Sequence, residues 1–315
     1  MIKHLHTLCM LLALLVLPTG CIKEDLDDCD NVSISFQYLA DENQNVLPDY
    51  VTKVDLYVFD ENERILEVRT YTGDELRQSN TTPTFRLTHG KRYKMVAVAN
   101  DFDATDITNI HITGWKNIFI QNPAWNTDKP VTTHDDNYMG QAEFTMPAKE
   151  GMRHHETITL FSAHIDVKIE MHGLPAPNSP NGEIPYEIRI ENANAQCAFT
   201  NEVNADPSRK ETVYPILVFD NNRQCYQTND LALFRMDHNG TVDPERCKHV
   251  VVVTDKKTGE ELKRFNVYDF VTQNTGKLDI TRQEAVLPVC LAFDQLDVTI
   301  KLPDWFIEDI TPDWN

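Results

Sequence analysis

A chain of 315 residues with 49 acidic against 29 basic side chains, and a formal charge of −20, repels phosphate backbones, which sets nucleic acid aside as a partner. The length suits two domains of ordinary size or one large all-β domain. Beyond a short apolar run near the start, no stretch approaches the ~18 residues of a membrane-spanning helix.

Residues 1–20 have the three parts of an export signal: Lys3 with His4 and His6, the apolar run Leu8 to Leu17, and a small-residue exit at Thr19-Gly20. As a helix that run rises only about 15 Å, half of a bilayer core, so it reads as a leader and not as an anchor. Cys21 follows Gly20 directly and offers a thiol for diacylglycerol. The motif Leu17-Pro18-Thr19-Gly20-Cys21 resembles a bacterial lipobox, although Pro18 and Thr19 stand where that motif more often has Leu and Ala or Ser. With an added N-acyl chain such as palmitate, the terminus would hold three chains, each methylene contributing about 0.8 kcal/mol, which is stable anchoring. The alternative is a secreted protein whose Cys21 pairs with Cys29. Residues 21–30 form an acidic tether containing Lys23, Glu24 and Asp25.

After the tether the dominant period is two. Val32, Ile34, Phe36 and Tyr38 alternate with Ser33, Ser35 and Gln37, predicting a half-buried strand that ends in turn material at 41–48. Strands are predicted at Val54–Asp60, with Ile65–Thr70 returning beside it, and at Thr84–Leu87 and Tyr93–Ala99. No amphipathic run long enough to cross a parallel sheet lies between them, so the pattern reads as an antiparallel meander or Greek key. From Asn100 to Met152 glycines and prolines interrupt the order, with short helical turns expected near 107–120. Glu156–Leu160 and the alternation Ala163, Ile165, Val167, Ile169, Met171 follow, and the change of phase at Phe161-Ser162 marks a bulge or a domain crossing. Further strands are predicted at 185–190, 196–200, 214–219, 231–236, 249–254, 262–270 and 291–302, the last ended by Pro303. The organisation is thus an N-terminal β-sandwich at 31–155, a C-terminal one at 156–302 and a tail at 303–315.

No catalytic or cofactor motif is present: neither a Gly-rich phosphate loop nor His-Glu-x-x-His nor Gly-x-Ser-x-Gly occurs, so no enzymatic activity, cofactor or metal is expected. His154-His155-Glu156 would splay its imidazoles to opposite faces of a strand. His134-Asp135-Asp136 reads as a solvated turn, and Asp101, Asp103 and Asp106 lack the ordered ligand positions of a calcium loop. Trp115, Phe119 and Trp125 offer a glycan or protein contact patch, against the reading that such rings close the bottom of a sandwich. The remaining cysteines, Cys29, Cys197, Cys225, Cys247 and Cys290, are too dispersed for a zinc ribbon, and both disulfides and buried free thiols stay open. An uncovered sheet edge would need no active site at all, since a strand from another subunit can satisfy its backbone groups.

The stretch Gly20–Cys29, together with Val54–Asp60, Tyr93–Asn100 and Leu160–Val167, resembles the FimB-like family of fimbrial anchor lipoproteins of Bacteroides-like bacteria. The resemblance covers the leader and first half in order, and the second half only in its strand pattern. It implies an all-β fold of two tandem transthyretin-like β-sandwiches, a lipid on Cys21 in the outer membrane, and a charged signal at Lys23, Glu24 and Asp25 for export to the outer face. It further implies a fimbrial stalk subunit as partner, at the base of the fimbrium. The strand from Val32 would then close its own groove, and Leu296 to Asn315, with Trp305 and Trp314, would be offered to a neighbour. The alternative is an accessory or tip adhesin that binds glycan or host protein.

Overall fold

The computed structural model describes residues 29–77, 84–110, 114–178, 182–294 and 297–306. In chain order the first half contains β1 (Val32–Tyr38), helix α1 (Leu47–Tyr50), β2 (Lys53–Phe59), β3 (Ile65–Thr72), α2 (Asp74–Arg77), β4 (Arg92–Ala99), β5 (Asp106–Thr108), β6 (Phe119–Gln121), β7 (Tyr138–Thr145) and β8 (His154–Ser162). The second half contains β9 (His164–His172), β10 (Tyr186–Asn194), β11 (Gln196–Ala198), β12 (Lys210–Val213), β13 (Leu217–Asp220), β14 (Cys225–Thr228), β15 (Ala232–Phe234), β16 (Asp237–His238), β17 (Thr241–Val242), β18 (Val250–Asp255) and β19 (Glu261–Asn266). Helix α3 (Val267–Gln273), β20 (Val286–Phe293) and β21 (Val298–Lys301) complete it.

These strands build a multi-sheet, mostly antiparallel all-β fold. One sheet runs β1-β8-β7-β4-β2-β3, a second β13-β14-β9-β20-β21 with β15 also on β9, and a third β12-β10-β18-β19. Two pairs are parallel, β1 with β8 and β9 with β20, which corrects the purely antiparallel expectation. Segments far apart in sequence return side by side there, and no crossover helix is needed because whole strands intervene. Period-two alternation carries no information on this direction of pairing.

The alternating residues of β1 face the N-terminal core, where Val32, Ile34, Phe36 and Tyr38 are buried with Val54, Leu56, Met95 and Ile158. Burying side chains of this size contributes roughly 1.5–3 kcal/mol each. Gly140 lets β7 lie close against β8: a Cβ there would stand 2.3 Å from the Thr159 carbonyl oxygen. A larger C-terminal core gathers Ile165, Val167 and Ile169 of β9 with Ile188, Val251, Phe270 and Leu287. β8 ends at Ser162 and β9 starts at His164, so at Ala163 one chain segment passes from the first sheet to the second.

Between the cores lies a third cluster of Tyr57, Phe59, Trp115 and Ile118 with Cys197, Phe199 and Phe234. It exists because Asp106–Thr108 and Phe119–Gln121 form β5 and β6, strands beyond the expected helical turns, and β6 pairs with β11 of the second half. Among the described residues of 107–120, Trp115–Asn117 is the short helical turn, of the 3-10 kind. Thr84–Leu87 makes a single bridge, Phe85 to Val32, where a strand was expected. Leu262–Phe270 divides into β19 and α3, since Asn266 caps the helix by accepting from the backbone N–H groups of Tyr268 and Asp269. The five cysteines from Cys29 onward are free thiols, and burial pushes Cys197 and Cys247 up to about 12, which makes them unreactive.

Candidate functional site

Among the described residues no helix is long and apolar enough to cross a membrane. Cys21, Lys23, Glu24, Asp25 and Trp314 lie outside the described residues. The candidate contact surfaces are the sheet edges and the grooves beside the cores.

The edges differ in how they are guarded. β1 is paired with β8 along its whole length and bridged on its other side to Phe85. Its C-terminal end is held by the opposite half of the chain: the hydroxyls of Tyr38 and Tyr138 donate to Glu284, and the Gln283 backbone N–H donates to Asp41. The third sheet ends in β19, whose Arg264 pairs with Glu191 at 2.7 Å and Glu261 at 2.9 Å, a charged lattice of the kind that discourages strand addition. β21 is different. Val298 and Ile300 pack on the C-terminal core, Thr299 faces out, and among the described residues its only strand neighbour is β20. β3 and β13 are further open edges, β3 with Leu66 and Val68 exposed.

The chain after β21 folds back on its own sheet. The Trp305 indole N–H donates to Glu170 at 2.8 Å, and the Arg223 guanidinium donates to both oxygens of the same carboxylate at 2.7 Å. Burial pushes Glu170 up, but the hydrogen bonds from Arg223, His172 and Trp305 outweigh it and hold the carboxyl below the usual range. Residues up to Phe306 are therefore docked on this chain, which narrows the segment expected to be offered to a neighbour.

A groove of about 910 Å³ runs beside β9, lined by Phe102, Asp136, Asp166, Asp230 and Trp305. A second, of about 760 Å³, holds the exposed Phe161 with Arg235 and Arg246, whose charges are taken up by Asp237 and Glu202. Trp115 and Trp125 are buried, in keeping with the reading that these rings close the sandwich and not with a contact patch; Lys94 lies 3.5 Å over the Trp115 ring.

The candidate ligand sets from the sequence do not assemble. His134 is buried against Glu211 at 2.5 Å and Asp135 caps the 102–105 loop by accepting from the N–H groups of Phe102 and Ala104. Burial and neighbouring Asp55 push Asp101 up to about 6 against the pull of Lys53, which pairs with it at 2.9 Å. His154 stacks on Phe144, while His155 meets Ser33 at 2.9 Å on the other face of β8. The fold instead brings Asp136, His164 and Asp166 together, three residues that no sequence spacing joins. Burial pushes Asp166 up, opposed by His164 and assisted by Asp136.

Comparison with the curated proteins returns no match. Solved structures share the fold: a Bacteroides ovatus protein described as an adhesin is 13% identical with a TM-score of 0.66, covering 86% of this chain and 92% of its own. A Bacteroides thetaiotaomicron protein described as polysaccharide-binding is 18% identical with a TM-score of 0.63 over 87% and 96%. The fimbrial anchor protein Mfa2 from Porphyromonas gingivalis is 14% identical with a TM-score of 0.62 over 87% and 97%. A family model described as Fimbrillin-A associated anchor proteins Mfa1 and Mfa2 matches residues 26–311, a broader family than the FimB-like group in particular. This is a surface-associated protein of fimbrial assembly or adhesion, without enzymatic activity. The chain belongs to the family of Fimbrillin-A associated anchor proteins Mfa1 and Mfa2.

Proposed function

We propose that the protein is an outer-membrane lipoprotein that anchors or terminates a fimbria through contacts with a stalk subunit. Lipid on Cys21 holds the chain, Lys23, Glu24 and Asp25 send it to the outer face, and it sits at the base of the fimbrium. In this reading the two halves of the chain are transthyretin-like sandwiches with Greek-key links, the tail is 303–315, and the chain stands on the FimB-like side of its family.

The observation that supports the reading is the contrast at the edges. β1 is already paired within its own sheet and locked at Tyr38, so it has no strand to give, whereas β21 keeps a free side for a strand from a neighbour. The test is Cys21→Ala in the native cell. It should release both this protein and its fimbriae into the medium; fibres of normal length still attached to cells would reject the anchor role.

A second reading, an accessory or tip adhesin for glycan, is favoured by the 910 Å³ groove with exposed Phe102 and half-buried Trp305 at its wall, and by the Bacteroides thetaiotaomicron relative described as polysaccharide-binding. Glycan-array binding that disappears in Trp305→Ala, with fibre attachment intact, would favour it.

A further inference from the structure

We propose that Asp136, His164 and Asp166 form a site for a divalent first-row transition cation, zinc first, at the step where the chain passes between its two cores. Asp136 comes from the segment just before β7, while His164 and Asp166 are the first and third residues of β9. Their ligand atoms lie within 4.8 Å of one another. Around tetrahedral zinc, bonds of about 2.0–2.2 Å place ligand atoms about 3.3 Å apart, so closing on an ion needs shifts of about an ångström or less.

Two independent observations point to a ligand. The first is the orientation of the imidazole. Its side chain is 6% exposed, and Nδ1 lies 3.0 Å from the Asn137 carbonyl oxygen, which can only accept; Nδ1 therefore donates to it, and the neutral ring would present its Nε2 lone pair on the side of the carboxylates. Metal-binding histidines are commonly held this way, by a backbone carbonyl on the far nitrogen. The same carbonyl accepts from the Ala163 N–H at 2.9 Å, and Tyr138 meets the ring edge-on, so the orientation is fixed from several sides.

The second observation is that the two carboxylates have no protein donor among the described residues. Among the described residues neither the Asp136 nor the Asp166 carboxylate accepts a hydrogen bond, and Asp136 stands 3.8 Å from Nε2, beyond hydrogen-bond range. Glu284 adds negative charge nearby, and Lys168 offsets it. The other cluster of suitable residues, Glu170, His172 and Cys225, makes an instructive contrast. There Arg223, Trp305 and His172 already fill the carboxylate, leaving nothing for an ion to satisfy. Imidazole with two carboxylates suits zinc, and also manganese, better than calcium, which favours oxygen alone. Both Asp136 and Asp166 line the 910 Å³ groove, so an ion has a path in and open positions for water.

The test uses the full chain purified without a histidine tag and stripped with chelator, titrated calorimetrically with zinc chloride. About one equivalent should bind, and Asp136→Asn and Asp166→Asn should each weaken binding by at least about tenfold, the loss given even by an outer partner of a metal ligand. Glu170→Gln should leave it unchanged. Asp136 is mostly exposed, so its variant folds whatever its effect on binding. Absence of stoichiometric binding to the unmodified chain, or binding that survives both asparagine variants, overturns the site.

Discussion

β1 and β21 both lie at the end of a sheet, yet their surroundings are opposite. β1 is buried along its apolar face, paired over all seven residues with β8 and pinned at Tyr38 by Glu284 from the other half of the chain. β21 has four residues, alternates half-buried and exposed, and pairs on one side. In a family of fimbrial anchors the difference separates a strand needed to complete the fold from one that the fold can spare. A strand that completes a core cannot be lent without unfolding it, whereas an edge strand accepts a neighbour at no cost to its own sheet.

That contrast can be broken most forcefully at Phe36. Phe36→Asp places a carboxylate in the N-terminal core and should cost about 4 kcal/mol or more, read as a large fall in the urea midpoint or loss of soluble protein. Normal stability of this variant would mean that β1 is dispensable.

Acid should separate the two cores next. His249, fully buried at the entry to β18, has neither ring nitrogen hydrogen-bonded among the described residues. Burial, aided by Lys210, pushes it down to about 3, while in the unfolded chain it titrates near 6.5. Between those values the unfolded state binds the extra proton. Stability is therefore intact above about pH 6.5 and falls by about 1.4 kcal/mol per pH unit below it. His249→Leu should flatten that slope in urea titrations; an unchanged slope would place the acid sensitivity elsewhere.

Smaller effects sharpen the comparison. Glu284→Gln weakens the acceptor shared by Tyr38 and Tyr138 and should cost about 1–2 kcal/mol in urea unfolding, with the end of β1 becoming more open to hydrogen exchange. Thr299→Asp on β21 should change the fold by no more than about 0.5 kcal/mol. If it destabilises the chain as Phe36→Asp does, the distinction between the two edges fails.

Strands with clean alternation or a continuous apolar run were readable from the sequence: β1, β2, β4 and β9 fall within a residue or two of the expected segments. β7 escaped because Gly140 sits inside it, and its value lies in a close approach to β8 that only the fold reveals. The start of β20 was hidden by Pro288, tolerated because β21 covers only Cys290–Phe293 and leaves β20 one neighbour at the proline. The capping signal at Asn266 was legible in principle, but the preceding alternation ran over it. Asp136, His164 and Asp166 could not have been joined by spacing, since the turn into β7 and the step at Ala163 bring them together.

The most direct measurement is a photo-crosslinking amino acid placed at Thr299 of β21 and, separately, at Ser35 of β1, in cells that make fimbriae. A crosslink to a fimbrial subunit from position 299 and none from position 35 is the predicted result. A crosslink from position 35, or none from position 299 while fibres remain attached, would contradict an anchor that keeps its first strand and offers its last.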